Sequence, residues 1–202
     1  QIGATVIGGI ANNSGGALVK RGPAYTEFAL YAQVDKNRKL HLVNHLGIDG
    51  LGETPEEILN NIQAGNIDPI NIQYDTGMAS DHEYIDRVRN VESDVPARYN
   101  ADKRRLFEAS GCAGKLGVFA VRTDTYAVPE KEQVFYLGTN NPEKLTQLRK
   151  DILTNFEYLP EMAEYLHRTI FKITEAYGKD TFLSINYLGT ENMARFFVVK
   201  AK

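Results

Sequence analysis

A fifteen-residue run near the amino end, Ile2-Gly-Ala-Thr-Val-Ile-Gly-Gly-Ile-Ala-Asn-Asn-Ser-Gly-Gly16, holds five glycines. Glycine loses more conformational freedom on folding than any other residue, so such a density has to serve a purpose. One purpose is to let backbone N–H groups approach a bulky, electron-rich ligand such as a phosphate with no Cβ in the way. A tight turn after a helix of small residues gives the same pattern, and the run alone leaves both readings open. It matches neither common phosphate loop. There is no G-x-x-x-x-G-K-[ST], and no strand–GxGxxG–helix unit with an acidic residue at the ribose distance, which argues against nucleotide hydrolysis and NAD-type binding.

The 202 residues suffice for one sizeable core or two small ones, and 43% hydrophobic with 24% charged residues describes a folded, globular chain. A formal net charge of −3 argues against a nucleic-acid partner, which calls for a basic face. The single cysteine, Cys112, excludes an internal disulfide and fits a reducing compartment. No apolar run reaches the roughly 20 residues that span a bilayer. The chain opens on Gln1 inside what reads as a structural element, so we read it as a segment of something longer.

Alternation predicts a strand over 26–34 with Phe28, Leu30, Ala32 and Val34 on one side. Asp35-Lys-Asn-Arg38 reads as a turn into a second strand over 39–45, which makes a hairpin. Thr54-Pro-Glu-Glu57 is a capping box that opens a short helix ended by Gly65. Residues 66–98 are polar and irregular, a length of loop that is usually functional or held by neighbours. A short helix is expected over 101–109, then strands over 116–122 and 133–138. Asn141 and Pro142 start one longer helix, with Leu145, Leu148, Ile152 and Phe156 on one face. Pro160 starts another, with Met162, Leu166, Ile170, Ile173 and Tyr177 as its stripe and Gly178 as its stop. Residues 181–185 and 195–199 read as strands, and the whole pattern is that of a mixed α+β fold.

His41 and His45 share a strand face, a spacing that can serve a metal, but no Cys, Asp or Glu lies near them on that strand and no metal site is assigned. His82 is expected at the surface and His167 at a helix flank. Cys112 has no histidine close in sequence to act as its base, so packing against a neighbouring backbone is its expected role. Ser14 lacks the G-x-S-x-G elbow and is expected to satisfy a turn or a ligand oxygen. Lys103-Arg-Arg105 reads as the wet face of a helix.

The opening run, Lys20-Arg-Gly-Pro-Ala-Tyr-Thr-Glu27, Leu42-Val-Asn-His-Leu-Gly-Ile48, Pro96-Ala-Arg-Tyr-Asn-Ala-Asp102 and Leu106-Phe-Glu-Ala-Ser-Gly-Cys-Ala-Gly-Lys115 closely resemble the bacterial respiratory D-lactate dehydrogenases. These enzymes are FAD-linked and reduce a quinone. Gln133-Val-Phe-Tyr-Leu-Gly-Thr-Asn140 and Tyr177-Gly-Lys-Asp-Thr-Phe-Leu183 extend the likeness across essentially the whole chain. The resemblance implies an α+β chain in three parts. Residues 1–124 would be the second half of an FAD-binding domain of the FAD-linked oxidase type. Residues 125–166 would begin an α/β substrate cap, and 167–202 a membrane-associating region.

It implies FAD contacts at Thr5, Gly15 and Val118. It further implies D-lactate as substrate, a quinone as acceptor, and peripheral attachment to the cytoplasmic side of the bacterial inner membrane through the C-terminal region. No residue is assigned as the catalytic base, and as a separate molecule the segment is expected to be inactive and to bind FAD weakly or not at all. Two other readings stay open. One is a related FAD-linked D-2-hydroxyacid dehydrogenase acting on glycolate or 2-hydroxyglutarate. The other is a non-catalytic domain that uses the 66–98 loop and the last two helices for protein or membrane contact.

Overall fold

Asp35 closes the predicted hairpin. Its Oδ1 accepts from the backbone N–H groups of Asn37 (2.8 Å) and Lys39 (2.9 Å), and Arg38 takes a φ of +61° to complete the turn. Strand β1, Ala29–Val34, thereby pairs antiparallel with β2, Leu40–Asn44. Strand β3, Gly117–Val121, joins the other side of β1 antiparallel, with a register shift between Leu30 and Tyr31, so the order is β2-β1-β3. A computed structural model describes residues 4–189 of this α+β chain. The expected 195–199 strand and the opening residues Ile2 and Gly3 lie outside them.

The central strand is covered on both faces at its start, which is why strict alternation fails there. Helix α1, Val6–Ala11, places Ile10 against Ala29, Tyr31 and Ala109. On the opposite face Leu30, 0% exposed, packs with Leu46 and Leu51, and helix α2, Pro55–Ala64, adds Ile58, Leu59 and Ile62. Burial of each such aliphatic side chain stabilises by roughly 1.5–3 kcal/mol. Val34, expected on the buried side, is 63% exposed because the hairpin tip runs past both layers. The capping box of α2 forms as read: Glu57 N–H donates to Thr54 Oγ1 at 3.3 Å, Thr54 N–H to Glu57 Oε2 at 3.0 Å, and Gly65 closes the helix in the left-handed region.

The 66–98 stretch is more organised than expected. It holds a 3-10 turn at Pro69–Asn71 and helix α3, Tyr84–Arg89. The helix expected over 101–109 is reduced to a 3-10 turn at Lys103–Arg105. The cause is long-range. Arg105, 4% exposed, is drawn inward by Asp81 and Glu83, and Glu108 takes a φ of +46° that a helix cannot hold. The strand expected over 133–138 does not form either. No described strand lies alongside to supply backbone partners, and Phe135 and Tyr136 are exposed.

Helix α4, Pro142–Asn155, starts at Asn141 as read, and Arg89 of α3 caps its other end by donating to the carbonyls of Leu153 and Phe156, both at 2.9 Å. Pro160 opens no helix. Val19 N–H donates to the Glu161 carbonyl at 3.0 Å and Leu18 bridges Met162, so this segment pairs with an earlier one.

Contacts divide the chain into two units, Val6–Met162 and a second made of Ala163–Lys202 with Gln1–Thr5. Within the second, α5 spans Arg168–Tyr177 and α6 spans Lys179–Leu188. His167 is the N-cap of α5, its Nδ1 accepting from Thr169 N–H at 3.2 Å. Gly178 ends α5 but keeps helical angles, φ −92° and ψ −11°, so a second helix follows at once where a strand over 181–185 was expected. Short apolar runs such as Thr181–Ile185 carry no period that separates the two states.

Candidate functional site

Helix α1 delivers the glycine-rich run to a sharp turn. Asn13 sits there at φ +46° and 1% exposed, and its Nδ2 donates to the Arg105 carbonyl at 2.6 Å. The second glycine-rich loop, Gly111–Gly114, docks on the same helix end. Gly111 N–H donates to the Ile10 carbonyl at 2.9 Å and Ala113 N–H to that of Ala11 at 2.8 Å. Gly111 has a φ of +72°, and a Cβ there would strike Leu106 and the Asn13 amide. Two segments far apart in sequence are thus zipped together by main chain, and β3 leaves directly from the second one.

Gly15 is exposed in the turn after α1, with the Arg98 guanidinium laid against its bare face, where any Cβ would collide with it. Arg98 Nη2 donates to the Gly16 carbonyl at 2.7 Å and Nη1 to that of Gly22 at 3.4 Å. Around Gly16 nothing lies within 4 Å of where a Cβ would be. Val118 pairs with Tyr31 in the sheet and is half-buried on the face that α1 covers. Thr5 is exposed immediately before α1 and belongs to the other contact unit. Gly15 and Val118 therefore fall in one unit, Gly15 as exposed main chain beside the Arg98 guanidinium and Val118 as a strand residue only partly covered.

The remaining candidates resolve into structural roles. His41 Nε2 lies 2.9 Å from Asp35 Oδ2, and His82 Nε2 2.8 Å from Asp124 Oδ2. His45 Nδ1 lies 2.6 Å from Glu108 Oε1, beside Tyr31, whose hydroxyl is pushed up to about 12 by burial and then by the Glu108 carboxylate. His45 lines a cavity of about 430 Å³ with Glu27, Asp49, Gln73 and Thr76, and none of Thr5, Gly15 and Val118 does. Among the described residues no group of three His, Cys, Asp or Glu side chains could hold a metal. Cys112 is buried, and Ser14 Oγ accepts from Asn12 Nδ2 at 3.2 Å within the turn. Arg105 corrects the wet-face reading of Lys103-Arg-Arg105. Sequence reasoning gave no role to Arg98 or Glu108; the Pro96-Ala-Arg sequence was the only trace of the first.

Residues 134–202 match the family described as D-lactate dehydrogenase, membrane binding. The chain is 59% identical over 201 residues to the quinone-dependent D-lactate dehydrogenase of Escherichia coli K12, 100% of its own length. It matches a stretch of quinone-dependent D-lactate dehydrogenase from end to end. Against the dehydrogenases of that name from Haemophilus influenzae and Corynebacterium glutamicum, identity is 55% and 45% over 200 residues, 99% of the chain in both. The chain spans about a third of the length of these relatives, 35% of each. No described helix is long and apolar enough to cross a membrane.

Proposed function

We propose that this chain is a working stretch of an FAD-dependent, quinone-reducing D-lactate dehydrogenase that oxidises D-lactate to pyruvate. The carrying observation is 59% identity along the whole chain to an enzyme of that name. The joining of the two glycine-rich loops supports it, since both belong to the blocks that carry the likeness. Bound FAD supplies the acceptor for the hydride on lactate C2. Gly15 and Val118 offer it exposed main chain and a strand edge, and Thr5 is proposed as a contact on the resemblance alone. Residues 1–124 form the second half of the FAD-binding domain, 125–166 begin the cap, and 167–202 begin the membrane-associating region.

That last region meets the cytoplasmic face of the inner membrane as a peripheral surface. Supporting this, α5 exposes Ile170, Phe171, Ile173 and Tyr177, and α6 exposes Phe182 and Tyr187. The test uses the full-length protein. It is expected to release FAD on denaturation and to reduce a soluble quinone with D-lactate. Release of no flavin, or turnover with glycolate or 2-hydroxyglutarate but not D-lactate, overturns the reading.

A further inference from the structure

We propose that Arg98 is the cation that meets an anionic part of the flavin dinucleotide at the Gly15–Gly16 turn, an inference that rests on the FAD reading above. Most arginines near this turn are already committed to carboxylates. Arg87 and Arg105 pair with Asp81 and Glu83, Arg104 with Asp102, and Arg21 with Glu161. Arg98 has no carboxylate partner among the described residues. Its two hydrogen bonds, to the Gly16 and Gly22 carbonyls, leave Nε and further N–H donors without an acceptor among the described residues.

The group is also held still. Its guanidinium lies 5.7 Å from the ring of Tyr84, which is 5% exposed and closes on Gly22 from the other side. A charge fixed in this way and presented beside side-chain-free, solvent-open backbone is preorganised to grip an anion through its planar fork. Arg98 thus does more than staple the turn. Two carbonyl bonds would satisfy a staple, whereas the guanidinium keeps further N–H donors and packs against Gly15, next to Gly16, where nothing lies within 4 Å of a Cβ position. The anionic oxygen it meets is supplied either by the diphosphate or by the N1–C2 carbonyl edge of the reduced ring.

The experiment uses full-length enzyme stripped of flavin, as wild type and Arg98→Met. Affinities for FAD and for riboflavin, and the midpoint potential of the bound flavin, are measured together with melting of the apoprotein. FAD affinity is expected to fall by about tenfold or more, the loss of one charge-assisted contact, in a variant that apoprotein melting shows to be folded. If the diphosphate is the partner, riboflavin affinity stays constant and the potential holds. If the ring is the partner, the potential drops and both ligands suffer.

FAD affinity within twofold of wild type, together with an unshifted midpoint potential, overturns the assignment. Should Arg98→Met fail to fold, arginine modification by phenylglyoxal on the wild-type apoprotein decides instead. Protection of Arg98 by bound FAD supports the assignment, and equal labelling with and without FAD overturns it. A wild-type protein that holds no flavin sinks the functional reading itself, whereas a flavoprotein indifferent to Arg98 sinks this inference alone.

Discussion

Asp81 has no exposed side-chain surface and faces two guanidinium groups: Arg105 at 2.7 Å, and Arg87 in close contact. Arg105 is held even more firmly protonated than usual, first by its hydrogen bond to Asp81. Truncating one member of such a buried group strands the others, which typically costs about 3–5 kcal/mol. Asp81→Ala is therefore expected to lower unfolding stability by about that much, read by urea denaturation. Asp124 gives a pH-dependent counterpart. Hydrogen bonds from Ser80 and then His82 hold its carboxyl below the ordinary aspartate value. A depressed carboxyl adds stability above its unfolded pKa and loses it as pH falls through the folded value. Melting temperature should therefore drop as pH falls below about 4, and Asp124→Asn should flatten that limb. A limb unchanged in the variant would remove Asp124 from the account.

Helix α2 rests on local chemistry. Loss of its cap in Thr54→Ala is expected to cost about 1 kcal/mol, measured as a shift in the denaturation midpoint at constant slope. Helix α5 rests on nothing that the described residues bury, since none of its side chains is buried while Ile170, Phe171, Ile173 and Tyr177 are all about half exposed or more. An apolar face of this kind on a short helix suits the interfacial layer of a bilayer. Replacing Ile170 and Ile173 together by serine in the full-length protein should reduce co-sedimentation with anionic phospholipid vesicles several-fold. Undiminished sedimentation would show that protein, and not lipid, covers that face.

At the scale of the whole molecule, coverage of the backbone decides which segments open before others. Residues 163–167 are exposed and carry no regular structure, whereas β1 is central and largely buried. Limited proteolysis followed by mass spectrometry should cut at 163–167 before any site in 29–34, because exposed backbone outside regular structure opens at little free-energy cost.

The hairpin, the capping box at Thr54, the Asn141–Pro142 start of α4 and the kinship with D-lactate dehydrogenases were all legible in the residues. The first three depend on caps and turn formers only a few positions long, and the kinship on long blocks of likeness spread along the whole chain. The collapse of the 101–109 helix, the pairing of Leu18 with Met162, the unformed 133–138 strand and the helical state of 181–185 were not. In each, a partner distant in the chain, or the lack of one, overrides the local preference. The same holds for the candidate site. Glycine density marked where bare backbone lies, but only the folded chain laid Arg98 against Gly15 and tied Gly111 to Ile10. A charge distant in sequence acquires a role through the neighbours that folding brings to it, and short-range pattern carries no record of them.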